Sequence, residues 1–306
     1  MRRENRVELR RAVKDCVKLN RTLSDCYFIP NQSVEYVKFC VDVAATETQA
    51  RRVICVGSIV YGACFQGELG EGSEVHAVER DPLAIVMQQY FLHLVEEGFS
   101  PRDIQRAFLL TCSSCGGNYD PRILQQRSRA VSLLFSSYMP LTPVSEDDVE
   151  FARTTFNQFL ESEVGFVPPN LFERAFQLKK VDGGSLPTLN PCVDTIPSWT
   201  EAHKDIDMEE PTTHYADFLD LDLGLRKADF LHTNNAIEHN PYQKFLERSA
   251  KVLNSGGVLE LTITWKKPDM PKCFERIKMK ERSIGRRLSY FPIVVGMDCF
   301  FYRKVL

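Results

Sequence analysis

The chain has 306 residues, 43% hydrophobic and 26% charged, with a formal net charge of −3 and ten cysteines. That balance excludes a disordered chain, a collagen and a coiled coil, and the length suffices for one large domain with an insertion or for two modest ones. The cysteine density is well below that of a secreted disulfide scaffold, and no run approaches the roughly 18 apolar residues of a membrane span. The polar start Met1-Arg2-Arg3-Glu4-Asn5-Arg6 is unlike a signal peptide, so a cytoplasmic protein with reduced thiols and no stable membrane span is expected.

Apolar residues at helical spacing predict a helix over residues 2–19 (Val7, Leu9, Ala12, Val13, Cys16, Val17) and another over 33–45 (Val34, Val37, Cys40, Val41, Ala44). The short β-branched run Arg52-Val53-Ile54-Cys55-Val56, closed by Gly57, predicts a central strand buried on both faces. A second strand follows at Glu74-Val75-His76-Ala77-Val78 and ends at Glu79; Asp81-Pro82 then opens a helix to about Glu96. Residues 98–210 break the alternation with helical stretches at 102–110, 123–134 and 149–160 and a Pro/Gly-rich acidic segment at 182–211, which predicts a helical insertion.

Alternation resumes with strands at His214-Tyr215-Ala216-Asp217 and Ala228-Asp229-Phe230-Leu231-His232, and then a helix over 241–253 that Asn254-Ser255-Gly256-Gly257 terminates. The strand 258–265 comes next, and residues 291–305 read as two extended runs around Gly296. The expected fold is α/β, a doubly wound, mostly parallel Rossmann-like sheet with an antiparallel C-terminal hairpin. Its parts are N-terminal helices at 1–50, the sheet domain at 51–97 and 211–306, and the helical insertion at 98–210.

Charge is unevenly spread. Residues 1–21 carry eight Arg or Lys against three acids, 266–287 nine against three, and 201–222 eight acids against one Lys. Such runs are ordinarily solvated faces; the sharper alternative is a phosphate-bearing partner, a nucleic acid or an anionic lipid surface.

A buried strand ending in glycine and opening into a helix, with a second strand ending in an acid 22 residues later, is the core of nucleotide binding in doubly wound folds. Gly57 lets the backbone approach a ligand, and Glu79 can accept from ribose hydroxyls. His239, in Ile237-Glu238-His239-Asn240, is either a helix-start residue that orders the pocket or a general base. Cys112-Ser113-Ser114-Cys115 is a lone pair of thiols without a second pair or a spaced His, and no metal site is expected.

Several blocks, in order, resemble the class I S-adenosylmethionine-dependent methyltransferase superfamily: Val53-Ile54-Cys55-Val56-Gly57-Ser58, Val75-His76-Ala77-Val78-Glu79-Arg80-Asp81-Pro82, Ala216-Asp217-Phe218, the run from Ala228 through Asn234-Asn235 to Glu238-His239, and Val252-Leu253-Asn254-Ser255-Gly256-Gly257 into the next strand. The resemblance implies S-adenosylmethionine as cofactor, with Gly57, Ser58 and Gly62 lining its amino acid part, Glu79 at its ribose, Asp217 and Phe218 at the edge and face of its adenine, and Asn234 and Asn235 at the reacting end. Asn234 and His239 are the catalytic candidates. The implied activity is a transferase, most simply a methyltransferase, acting on a small-molecule, lipid or other acceptor; a nucleic acid is the less favoured partner.

The sequence departs from the family where Cys55 replaces an acid and Ile59 and Tyr61 replace glycines, and a bulky Tyr61 in the loop would obstruct the usual cofactor pose. Either the loop is built differently or the chain is a non-catalytic binding protein on a decayed fold. The long insertion is also similar to that of aminocarboxypropyl transferases of betaine-lipid synthesis, a third reading. Tyr119, Tyr138 and Trp199 of the insertion are candidates to close over an acceptor, or to pack a small core of their own.

Overall fold

A computed structural model describes residues 1–19, 34–100, 103–104, 106–107, 142–143, 146–175, 188–189, 206–222, 224, 226–233, 241–263, 269–277 and 298–305. Its elements in chain order are α1 (Arg3–Leu19), α2 (Val34–Glu47), β1 (Arg52–Val56), α3 (Ile59–Leu69), β2 (Glu74–Glu79), α4 (Pro82–Glu96), β3 (Thr142–Pro143) and α5 (Glu146–Glu163). These are followed by α6 (Leu171–Ala175), β4 (Thr188–Leu189), β5 (Thr212–Tyr215), β6 (Ala228–Thr233), α7 (Tyr242–Val252), β7 (Leu253–Ile263), β8 (Phe274–Arg276) and β9 (Asp298–Lys304). The chain divides into two compact units, one of Met1–Glu8, Pro30–Arg80 and Ala202–Leu306, the other of Leu9–Ile29 and Asp81–Glu201. Among the described residues no helix is long and apolar enough to cross a membrane.

The first unit holds a seven-stranded sheet in the order β5-β2-β1-β6-β7-β9-β8. β5, β2, β1, β6 and β7 are parallel, whereas β9 runs antiparallel to both β7 and β8. This is the expected doubly wound α/β fold, and its direction of winding reverses between β1 and β6. Side chains alternate across the sheet. Val53, Cys55, Val75, Phe230 and Val258 pack with Phe65 of α3 and with Tyr36, Cys40, Val43 and Ala44 of α2. Ile54, Val56, Val78, Leu231, Leu259 and Leu261 pack on the opposite face with Phe245, Leu246 and Val252 of α7. Helices therefore cover both faces, which is why β1 reads as an unbroken apolar run.

Two buried polar side chains fasten the margins. Asn5, 1% exposed, donates to the Pro211 carbonyl and accepts from Thr213 N–H, holding the start of α1 to edge strand β5. Lys304 Nζ donates to the Ala250 and Leu253 carbonyls at 2.6 and 2.7 Å, satisfying the carboxyl end of α7.

Three boundaries differ from expectation. β9 has a further antiparallel partner that the sequence did not point to, β8, three residues in the basic segment; residues 291–297, expected as the other arm of the hairpin, lie outside the described set. β7 starts at Leu253, which is already extended, while Gly256 takes the left-handed conformation at φ 82°, and a register irregularity between Ala228 and Phe230 absorbs the intervening residues. β5 ends at Tyr215, so Asp217 lies in the turn beyond it.

The second unit is helical, with the β3–β4 pair as its described strands. Asp81 caps α4, its Oδ1 accepting from the N–H groups of Leu83 and Ala84, with Pro82 in the first turn as the sequence suggests. An aromatic core joins Tyr90 of α4 to Phe156 and Phe159 of α5, and Phe156 to Phe172 of α6, with ring centroids 5.1 to 6.1 Å apart. Of the helical stretches expected in the insertion, 149–160 falls inside α5, whereas 123–134 lies outside the described residues.

Candidate functional site

Parallel strands end at a common edge, so β1, β2, β5 and β6 present their carboxyl ends together. Ligands of doubly wound folds bind outside that edge at the reversal point, which here lies between β1 and β6. β1 ends in Gly57 at φ 84°, a left-handed conformation that glycine adopts without strain, and its N–H donates to the Val78 carbonyl at 2.9 Å. Ser58 is extended and caps α3 by accepting from Tyr61 N–H at 3.1 Å. The connection from β1 to α3 is therefore only two residues long.

That brevity removes the obstruction expected from Tyr61. Ile59 and Tyr61 belong to the first turn of α3, both fully buried, and the Tyr61 ring meets His232 edge-on at 5.4 Å. Gly62 is also inside the helix. A Cβ there would lie 3.1 Å from the Ala77 Cβ and 3.2 Å from the Pro211 Cγ, so its missing side chain is what lets α3 approach β2.

Glu79 is the last residue of β2, half-buried, and its Oε1 accepts from Arg80 N–H at 2.8 Å. It is in register with Tyr215, and Ala216 N–H donates to its carbonyl at 3.1 Å, which carries Asp217 to the same edge. Asp217 Oδ1 accepts from Leu219 N–H at 2.9 Å in a turn of its own making, and Oδ2 lies 3.3 Å from the Arg80 guanidinium. A carboxylate at the end of β2 and another in the turn after β5, the second paired with the Arg80 guanidinium, thus stand at adjacent strand ends. Arg80 was not singled out from the sequence; its position directly after the strand-ending acid was the available signal.

Phe218, expected to lie open to an adenine face, is 3% exposed, and its ring packs 5.0 Å from Phe245 in the core beneath α7. It supports the Asp217 turn from below. Asn234, Asn235 and His239 lie outside the described residues, as do Tyr119, Tyr138, Trp199, Cys112 and Cys115.

Sequence reasoning also missed a buried polar cluster behind this edge. Glu260 of β7 is fully buried; Oε1 accepts from the hydroxyls of Tyr36 and Thr262 at 2.8 and 2.6 Å, and Oε2 accepts from Thr233 N–H at 2.9 Å. Burial pushes its carboxyl up to about 7, against the opposing pull of those three donors. Cys55 is buried on the same face with its thiol pushed well up by burial. Among the described residues no group of three or more His, Cys, Asp or Glu could hold a metal ion.

No protein-family model matches the chain, and no curated protein matches it. Among solved structures it is similar to the rRNA methyltransferase aviRa from Streptomyces viridochromogenes in two structures, at 14% identity and TM-scores of 0.39 and 0.38, over 91% of this chain and 87% of that one.

Proposed function

We propose that the chain is an S-adenosylmethionine-dependent transferase, most simply a methyltransferase. The observation that carries this reading is the placement of Glu79 and Asp217 at neighbouring strand ends, beside a positive-φ glycine and next to the β1/β6 reversal. These residues fit the cofactor. A carboxylate can accept from both hydroxyls of a ribose, a second can accept from an exocyclic amine, and the short Gly57-Ser58 turn leaves room for the backbone to approach.

Bound there, the cofactor supplies an electrophilic carbon on its sulfonium. The chain's own part is positioning: Glu79 fixes the ribose, Asp217 the adenine amine, Gly57 and Ser58 the amino acid end, while Gly62 sets the depth of α3 and Phe218 stiffens the Asp217 turn. Asn234 and Asn235 follow β6 and are assigned to the reacting end. His239 is assigned to orient the acceptor or remove its proton, and proximity supplies most of the acceleration. The acceptor is a small molecule, a lipid or another acceptor, with a nucleic acid the less favoured partner.

Calorimetry with S-adenosylmethionine and S-adenosylhomocysteine tests the reading. Glu79→Ala and Asp217→Ala are each expected to weaken binding by about tenfold or more while leaving the far-ultraviolet circular dichroism and melting temperature near those of the wild type. Absence of binding to the folded wild-type chain at millimolar ligand would overturn the transferase reading in favour of a binding protein on a decayed fold.

A further inference from the structure

The main-chain register of β6 with β7 runs through Phe230↔Val258 and Leu231↔Leu259. At Thr233, the last residue of β6, side chains take over. Its N–H donates to Glu260 Oε2 at 2.9 Å, its hydroxyl donates to the Glu260 carbonyl at 3.0 Å, and its Oγ1 lies 3.4 Å from Thr262 N–H. On its other side Thr233 is in register with Val56, the residue before Gly57. We propose that Glu260 is a positioning residue, its carboxylate standing in for a main-chain acceptor and fixing the end of β6 beside Gly57 as one wall of the crevice. That the wall bounds a cofactor pocket rests on the transferase reading; that Glu260 fixes Thr233 does not.

The cluster is built for a group that gains and loses a proton in place. Thr233 N–H can only donate, so Oε2 remains an acceptor in both states. A proton is therefore carried on Oε1, where the hydroxyls of Tyr36 and Thr262 can rotate from donating to accepting. Ionisation changes the strength of the Thr233 bond, charge-assisted when Glu260 is ionised and ordinary when it is neutral, without breaking the network.

The groups facing Glu260 are Tyr36 from α2, Cys55 from β1, His232 from β6 at 3.7 Å and Phe301, its register partner on β9. Burial pushes the Cys55 thiol well up and His232 down to about 3, so both are neutral where Glu260, held near 7, titrates. Glutamine has the same shape: its carbonyl oxygen would accept from Thr233 N–H and its amide would donate to the Tyr36 and Thr262 hydroxyls, turned round to accept, with no buried charge. A dehydrated acid that titrates beside a crevice, where an amide would fit, points to a role in the site.

The test is a pH titration followed at the Thr233 amide by two-dimensional NMR, alongside calorimetry with S-adenosylhomocysteine, on the wild type and Glu260→Gln. The wild-type Thr233 amide is expected to shift with a midpoint near 7. Affinity should rise by about fivefold across that midpoint as the charge-assisted bond forms. Both dependences should vanish in Glu260→Gln. A Thr233 amide that does not titrate, or one that titrates identically in the variant, would overturn the proposal. Absence of ligand binding with the amide titration intact would overturn the transferase reading and leave the positioning role of Glu260 standing.

Discussion

The two faces of the sheet handle polar groups in opposite ways. Under α2 and α3, Glu260 is fully buried, fed by three donors, and no Lys or Arg among the described residues is paired with it. On the α7 side, at the β1, β2 and β5 margin, the polar groups form a chain that reaches water. Arg52 lies 3.4 Å from Glu74, Glu74 lies 2.8 Å from His76 Nε2, and His76 Nδ1 lies 2.9 Å from His214 Nε2, the two rings stacked at 5.1 Å. The Glu74 side chain is 43% exposed, so the carboxylate of this chain keeps its hydration and the ion pair adds little. In the first cluster the acid has only hydrogen bonds to offset its dehydration. Burial therefore brings it to neutral pH, while the same effect on the other face pushes both histidines down.

The largest effect should come from emptying the dry cluster. Glu260→Ala leaves Thr233 N–H and the hydroxyls of Tyr36 and Thr262 without their shared acceptor inside the protein. A buried donor stripped of its partner costs about 1 to 3 kcal/mol, and the hydroxyls can partly re-pair, so chemical denaturation is expected to show a loss of about 4 kcal/mol. A loss under about 1 kcal/mol would mean that the two faces do not differ in kind.

The sheet was legible where the chain's own periodicity decides it. β1 and β2 are β-branched runs closed by Gly57 and Glu79, and α4 announces itself through Asp81-Pro82. β8 was not legible, since Phe274-Glu275-Arg276 is too short to alternate and exists only because β9 offers it a partner. Glu260 was equally hidden. Polar residues at 260 and 262 of an alternating strand read as a solvent face, and only α2 lying over β7 makes that face interior. Of the candidate site, Glu79 followed from a strand end and Asp217 from the resemblance, whereas the buried Phe218 and the inward Tyr61 depended on where α7 and α3 begin, which spacing does not fix.

A second test sharpens the contrast in packing. On the α3 side a Cβ on Gly67 would sit 2.3 Å from the Asp207 carbonyl oxygen and 2.5 Å from its carbon, main-chain atoms that cannot swing away. The neighbouring segment is held by Glu209 N–H donating to the Ala63 carbonyl and Asp207 N–H to Glu68 Oε1, each at 3.0 Å. Gly67→Ala is therefore expected to cost about 2 kcal/mol in thermal or chemical denaturation. At Gly62 the obstructing atoms belong to side chains at 3.1 Å and beyond, and Gly62→Ala should cost less. The reverse order would show that the segment at 207–209 yields more readily than the Ala77 and Pro211 side chains.

The smallest effect at neutral pH, and the one whose sign is opposite to that of Glu260, belongs to His214. Burial pushes it from 6.5 to about 4, helped by His76 and Arg52. The fold therefore favours the neutral ring, whereas the unfolded chain takes up a proton near 6.5. Stability from this group is present above 6.5 and is lost as pH falls from 6.5 towards about 4. Glu260 works the other way. Its folded value of about 7 lies above the ordinary 4.5, so its burden is absent below 4.5 and grows as pH rises to about 7. Glu74 Oε1, 2.8 Å from His76 Nε2, fixes the proton on that nitrogen, so His76 Nδ1 accepts from His214 Nε2–H. Glutamine at 214 can still donate there, and His214→Gln should change stability at pH 7 by under about 1 kcal/mol. Denaturation followed over the acid range should nevertheless show a shallower loss than in the wild type, by up to one proton's worth of slope, while His76, His93 and His232 continue to contribute in the same direction. Glu260→Gln should leave those histidine contributions in place and gain on the wild type as pH rises from 4.5 to about 7. If both variants bend the profile in the same direction, the opposition between His214 and Glu260 is wrong.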